Sequence, residues 1–205
     1  MIFKKLNSVS AIFAVAILLL AAATAAAQTD RVRPDAGEAG PAVPTLGCCK
    51  CLGGTNTLDL STISSNNWTV NGNPAVFLGP INSYWNINPR PAKWVSTSAT
   101  GGTGNVTVGT YDYKLKFVVP ACAIEQRVTL TGNYGGDDDV SVYLDSTLIA
   151  ECTGGWCFNT PHKVLSTLPA TLVSTMPHTL LVRVNNSGGP SGMFVNAKLT
   201  SACVK

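Results

Sequence analysis

The chain has 205 residues, 14 of them basic and 11 acidic, for a net charge of +3, and charged residues make up only 12% of it. That length is one domain's worth of sequence with enough apolar content to bury a core. The basic residues are scattered and form no stripe, so the electrostatic footprint of nucleic-acid binding is missing.

The first segment reads as a secretory leader. Lys4 and Lys5 precede an unbroken apolar run from Ala11 to Ala23, and Ala25-Ala26-Ala27 offers small residues for cleavage. The thirteen residues of that run are short of the about 20 a membrane span needs, so no membrane association is expected after cleavage. Leu46-Gly47-Cys48 has a lipobox flavour but stands well beyond the run. Removing residues 1–27 takes Lys4 and Lys5 away and lowers the net charge from +3 to +1. Residues 28–47 carry Pro34, Pro41, Pro44, Gly37 and Gly40 with few large apolar side chains, which predicts a flexible linker. The folded domain is then expected over residues 48–205.

Within that domain the recurrent period is two. Tyr111, Tyr113, Leu115, Phe117 and Val119 alternate with polar residues up to Pro120. Val128 and Leu130 continue the pattern, followed by Val140, Val142 and Leu144, then Leu180, Val182 and Val184, and finally Met193, Val195, Ala197 and Leu199. Each run predicts a half-buried strand. Gly101-Gly102-Thr103-Gly104, Gly135-Gly136, Gly154-Gly155 and Ser187-Gly188-Gly189-Pro190 read as turns between them. With a surface of hydroxyls and amides in place of charge, this is an all-β chain, and two antiparallel sheets packed as a sandwich are expected.

Three stretches together resemble the galactose-binding-like jelly rolls of exported bacterial proteins. They are Trp94-Val95-Ser96 before the Tyr111 strand, Thr131 to Asp145 with its glycines and acidic run, and His178 to Met193 with Asn185-Asn186 and Gly188-Gly189-Pro190-Ser191-Gly192. The resemblance covers roughly Trp94 to Leu199. It implies a jelly-roll sandwich of the carbohydrate-binding-module kind, with ligand loops at one end and a structural calcium as a common feature. No specific sugar contact carries over. One departure is that Asp145-Ser146 stands where the family has Asn-Gly, which predicts a loop longer than a tight hairpin.

Seven cysteines, Cys48, Cys49, Cys51, Cys122, Cys152, Cys157 and Cys203, suit disulfides in an oxidising compartment. A zinc site is the competing reading, but adjacent cysteines ligate one ion badly and no histidine lies near them. Cys152 and Cys157 enclose Thr153-Gly154-Gly155-Trp156, a short bendable loop, and are expected to pair with each other. The jelly roll implied by the resemblance brings first and last strands together. On that ground Cys203 is expected to bridge to the Cys48–Cys51 cluster and Cys122 to another of its members. One cysteine of the cluster remains, free or joining two chains.

Among candidate ligand-binding residues the aromatic ones come first: Trp156, Trp85, Trp68 and Tyr84. An aromatic face matches the C–H face of a pyranose and needs no charge. Core packing is the competing reading, and it is preferred for Trp94. Asp137, Asp138 and Asp139 are candidate calcium ligands, since adjacent carboxylates repel unless a cation or N–H donors intervene. The simpler reading is a solvated turn in which one Asp caps backbone N–H groups. No cofactor is required beyond that calcium. His162 and His178 stand in no nucleophile motif, and Glu151 with the acidic run is the sole candidate for a glycosidase pair.

Three functions are therefore carried forward. The leading one is a non-catalytic carbohydrate-binding or cell-surface recognition module, secreted, periplasmic or on the cell surface, with a glycan as partner. The second is a structural or assembly protein of the envelope, joined into oligomers by disulfides. The third is a hydrolase.

Overall fold

The computed structural model describes residues 42–47, 54–63, 67–119, 128–168 and 177–202, all within the unit Ala39–Lys205. The leader, most of the linker and the expected pairings of Cys48, Cys49, Cys51, Cys122 and Cys203 lie outside the described residues.

Regular structure among the described residues is all strand. In chain order the strands are β1 (Thr55–Asp59), β2 (Thr69–Val70), β3 (Asn73–Pro74), β4 (Val76–Phe77), β5 (Val95–Ser96) and β6 (Gly109–Phe117). Then follow β7 (Val128–Asp137), β8 (Asp139–Leu144), β9 (Thr147–Cys152), β10 (His162–Thr167), β11 (His178–Asn186) and β12 (Gly192–Ala202). They form two six-stranded sheets, and every strand pairing is antiparallel. One sheet runs β10-β7-β12-β5-β4, with β1 also paired to β12; the other runs β3-β2-β6-β11-β8-β9.

The alternation read from the sequence is the reason these two layers meet. Tyr113, Leu115 and Phe117 of β6, Val140, Val142 and Leu144 of β8, and Leu180, Val182 and Val184 of β11 point inward from one sheet. Leu130 of β7 and Met193, Val195, Ala197 and Leu199 of β12 meet them from the other. Each Val, Leu, Phe or Met among them contributes on the order of 1.5–3 kcal/mol when fully buried. On the opposite face of the second sheet's long strands, Arg183 of β11 makes a two-pronged ion pair with Asp112 of β6, directly across in register, at 2.7 and 3.0 Å. That pairing holds the Asp112 carboxyl below the usual carboxylate range.

A second, smaller core forms around the other face of β12. Phe194 packs with Trp85, Ile87, Trp94 and Phe158, the Trp85 and Trp94 rings standing 4.3 Å apart and Trp94 meeting Phe194 edge-on at 5.0 Å. The Trp94 indole N–H donates to the Ile87 carbonyl. The segment between β4 and β5 thus supplies the aromatic cover that lets β12 be apolar on both faces at its start. Packing is the role expected of Trp94.

Four expectations are corrected. Gly135-Gly136 is no turn; both residues lie inside β7. A Cβ on Gly135 would stand 2.6 Å from the Phe194 ring and 3.0 Å from the Cys157 carbonyl oxygen, so the glycine serves close approach. Asp145-Ser146 does make a tight connection, since Leu144 pairs directly with Thr147. Asp145 takes a φ of 54° there. Its carboxylate accepts from the Thr179 backbone N–H at 2.8 Å and lies 3.1 Å from His178 Nδ1, so tertiary contacts replace the glycine. The expected linker ends early: Leu46 is 1% exposed and joins the main core, and backbone bonds tie Pro44 and Leu46 to Val118. Trp68, 2% exposed, is also part of that core, so its ring offers no face to a ligand.

Candidate functional site

The acidic run marks the place where the chain leaves one sheet for the other. Asp137 ends β7, Asp139 starts β8, and Asp138 alone lies between them; the Asp137–Asp138 peptide is cis. A crossing that abrupt leaves backbone groups without ladder partners, and side chains and loops supply them. The Asp138 carbonyl accepts from Cys157 N–H, and Gly136 N–H donates to the Cys157 carbonyl. The 152–157 loop is thereby sewn to the crossing.

The Cys152–Cys157 disulfide closes that loop as expected, with its Cα atoms 5.9 Å apart. Gly154 and Gly155 take φ values of 103° and 76°, a conformation other residues adopt only with strain. Gly155 N–H then donates to Asp139 Oδ1 at 2.7 Å. With both ends of the loop fixed, Trp156 is held outward, 67% exposed, and leans on Phe158 at 5.6 Å between ring centres.

Opposite stands the 82–85 turn. Asn82 Oδ1 accepts from Tyr84 N–H at 2.8 Å and its carbonyl accepts from Trp85 N–H at 3.0 Å. Tyr84 projects into solvent at 76% exposure, while Trp85 is 5% exposed and sends its indole N–H to Asp137 Oδ2 at 2.9 Å. Between the two loops is a cleft of about 400 Å³ whose lining includes Tyr84, Trp85, Asp137, Asp138, Trp156 and Phe158. Three of the four aromatic residues singled out from sequence therefore meet in one place, with two of the three aspartates. Trp85 contributes an edge and a tethering N–H, since its ring face is taken by Trp94.

The two carboxyls are not equivalent. Burial, and the Asp138 carboxylate alongside, push the Asp137 carboxyl up to about 8. Burial works against ionisation of Asp138 as well, but hydrogen bonds from Asp137, from Ser187 N–H at 2.7 Å and from the Ser187 hydroxyl outweigh it. Asp138 is held below the usual range. The two surroundings thus push in opposite directions, Asp137 toward holding its proton and Asp138 toward ionisation.

These residues do not fit calcium. The ion needs six to eight oxygen ligands, whereas Asp137, Asp138 and Asp139 each turn to a different N–H donor: Trp85, Ser187 and Gly155. The capping reading fits Asp138 and Asp139, which each accept from a backbone N–H, while Asp137 is buried and accepts from the Trp85 side chain. Among the described residues, the metal-ligating side chains that do converge are Cys152, Cys157 and His162. The two sulfurs there are already bonded to each other. Glu151 is exposed on β9, accepts from the Ser141 hydroxyl at 3.2 Å and does not line the cleft. A larger apolar groove of about 680 Å³ runs past Ile81, Pro91 and Trp94; it holds none of the carboxylates.

Phe158 and the Trp85–Asp137 bond were not legible in the sequence. The segment between β4 and β5 has no period to place its side chains, and only the fold brings Trp85 within reach of a residue 52 positions away.

No protein-family model matches the chain, and no curated protein sequence does. Solved structures with a partial likeness include a Bacteroides uniformis beta-glucuronidase 2 covalently bound to cyclophellitol-6-carboxylate aziridine, with 16% identity and a TM-score of 0.42 over 72% of this chain and 18% of that one. A Faecalibacterium prausnitzii beta-glucuronidase shows 16% identity and a TM-score of 0.40, covering 73% of this chain and 32% of its own. An uncultured Clostridium sp. beta-glucuronidase shows 14% identity and a TM-score of 0.41, covering 77% and 30%. This chain thus spans less than a third of the length of each. Likeness at this level carries nothing about activity.

Proposed function

We propose that the protein is an exported, non-catalytic carbohydrate-binding module of the galactose-binding-like kind, and that its ligand stacks on Trp156. The single observation that carries this reading is an exposed tryptophan, on a loop closed by a disulfide and beside Phe158, that lines a cleft together with carboxyl groups. A rigid exposed indole offers stacking area with little rotamer entropy to lose on binding. Asp138, the less buried of the two carboxyls in the lining, supplies an acceptor for ligand hydroxyls.

The same pair argues against hydrolysis. A glycosidase sets its two carboxyls about 5–9.5 Å apart so that the bond or a water fits between them. Asp137 is buried and tied to the Trp85 N–H, Asp138 is tied to Ser187, and Glu151 stands outside the cleft.

Isothermal titration with a panel of soluble oligosaccharides tests the reading. Wild-type protein is expected to bind at least one of them, with the affinity falling tenfold or more in Trp156→Ala while the melting temperature stays within a few degrees. Binding untouched by that substitution, or an empty panel, would overturn it.

A further inference from the structure

The charge of the cleft narrows the ligand class further, on the reading that this cleft binds sugar. We infer that it selects amino sugars with a free, protonated amine over their neutral and acidic counterparts. The sign of the charge is carried by one group. Asp138 lines the cleft as a carboxylate held by the N–H and the hydroxyl of Ser187, both neutral donors. No lysine, arginine or histidine lines the cleft among the described residues. Arg183, whose β11 neighbour Asn185 binds the Asp138 backbone N–H, is committed to Asp112. The negative charge is therefore hydrogen-bonded but not neutralised by an ion pair.

The walls add to the same preference. Trp156 and Tyr84 are exposed aromatic residues of the lining, and an aromatic face attracts an ammonium through its quadrupole. Trp85 and Phe158, both buried, add apolar surface to the lining, and such surface strengthens both the ring–cation attraction and the contact with Asp138. A carboxylate on the ligand would instead meet Asp138 with no cation to receive it. The N-acetyl form of an amino sugar would keep the stacking and lose the charge.

The test compares three probes by titration calorimetry at pH 6: a β-1,4-linked glucosamine hexamer, the N-acetylglucosamine hexamer and a hexagalacturonate. The glucosamine hexamer is expected to bind at least tenfold more tightly than its N-acetylated form, with the uronate weakest. That advantage should shrink as salt is raised from 50 to 500 mM and disappear in Asp138→Asn, which keeps a carbonyl oxygen for Ser187. The salt series needs no variant and stands if the substitution fails to fold. Equal or weaker binding of the glucosamine hexamer, or binding that survives Trp156→Ala, overturns the inference. If the N-acetylated or uronate probe binds instead and Trp156→Ala abolishes it, the sugar reading stands and this inference alone falls. If no probe binds and the wider panel is empty, both fall.

Discussion

At the scale of single residues, Asp137 is the side chain whose chemistry its surroundings alter most. A carboxyl in the unfolded chain titrates near about 3.9, whereas in the fold Asp137 holds its proton up to about 8. Between those values the native state binds a proton that the unfolded state has released, so stability falls as pH rises through the window. The slope for one group is at most about 1.4 kcal/mol per pH unit. Asp138 has the opposite sign: its stabilisation is present above about pH 4 and is lost only below it. It does not offset Asp137 within the window. Asp137→Asn keeps an acceptor for the Trp85 N–H and a donor for Asp138 with no proton to lose. The wild-type melting temperature should therefore be lower at pH 8 than at pH 5, with the difference largely gone in Asp137→Asn. Equal pH slopes in the two proteins would show that Asp137 is not the group responsible. The sequence displays three adjacent aspartates and the repulsion they must manage, but not that they stand at a sheet crossing where N–H donors are in surplus.

Among the elements, β7 and β12 show how backbone proximity dictates sequence. Gly132 pairs with Ala197, and a Cβ there would stand 2.3 Å from the Asn196 carbonyl oxygen and 2.4 Å from the Ala197 Cα. Backbone atoms cannot swing aside as a side-chain end can. Gly132→Ala should destabilise the fold by about 1–3 kcal/mol, read as a lower urea midpoint with an unchanged slope; an unshifted midpoint would contradict the close approach. β11 and the second half of β6 were legible because one face is buried and their residues alternate strictly. β9 and β10 were not, because each lies at a sheet edge and carries an apolar residue outward, Leu148 in β9 and Leu165 in β10. β2 to β5 have two residues each, too few for any period to show. Asp145 misled for a different reason: its positive φ is sustained by Thr179 and His178 on β11, partners that a local turn rule cannot see.

For the molecule as a whole, the two cores and the cleft are one construction. The main core fixes the sheets, the Trp85–Trp94–Phe194 cluster folds the 78–94 segment against β12, and Trp85 ties that segment to the sheet crossing at Asp137. Of the four tryptophans, Trp68, Trp85 and Trp94 are inside and Trp156 alone faces water. Sequence could nominate the aromatic residues but could not sort them, because burial of a loop tryptophan depends on which sheet face the loop covers. Acrylamide quenching of tryptophan fluorescence, with and without a saturating oligosaccharide, tests the central claim most directly. One readily quenched tryptophan should be seen in the free protein, lost in Trp156→Phe and shielded when the sugar is bound. Quenching that persists in Trp156→Phe, or that saturating sugar leaves unchanged, would contradict the assignment of this cleft as the binding site.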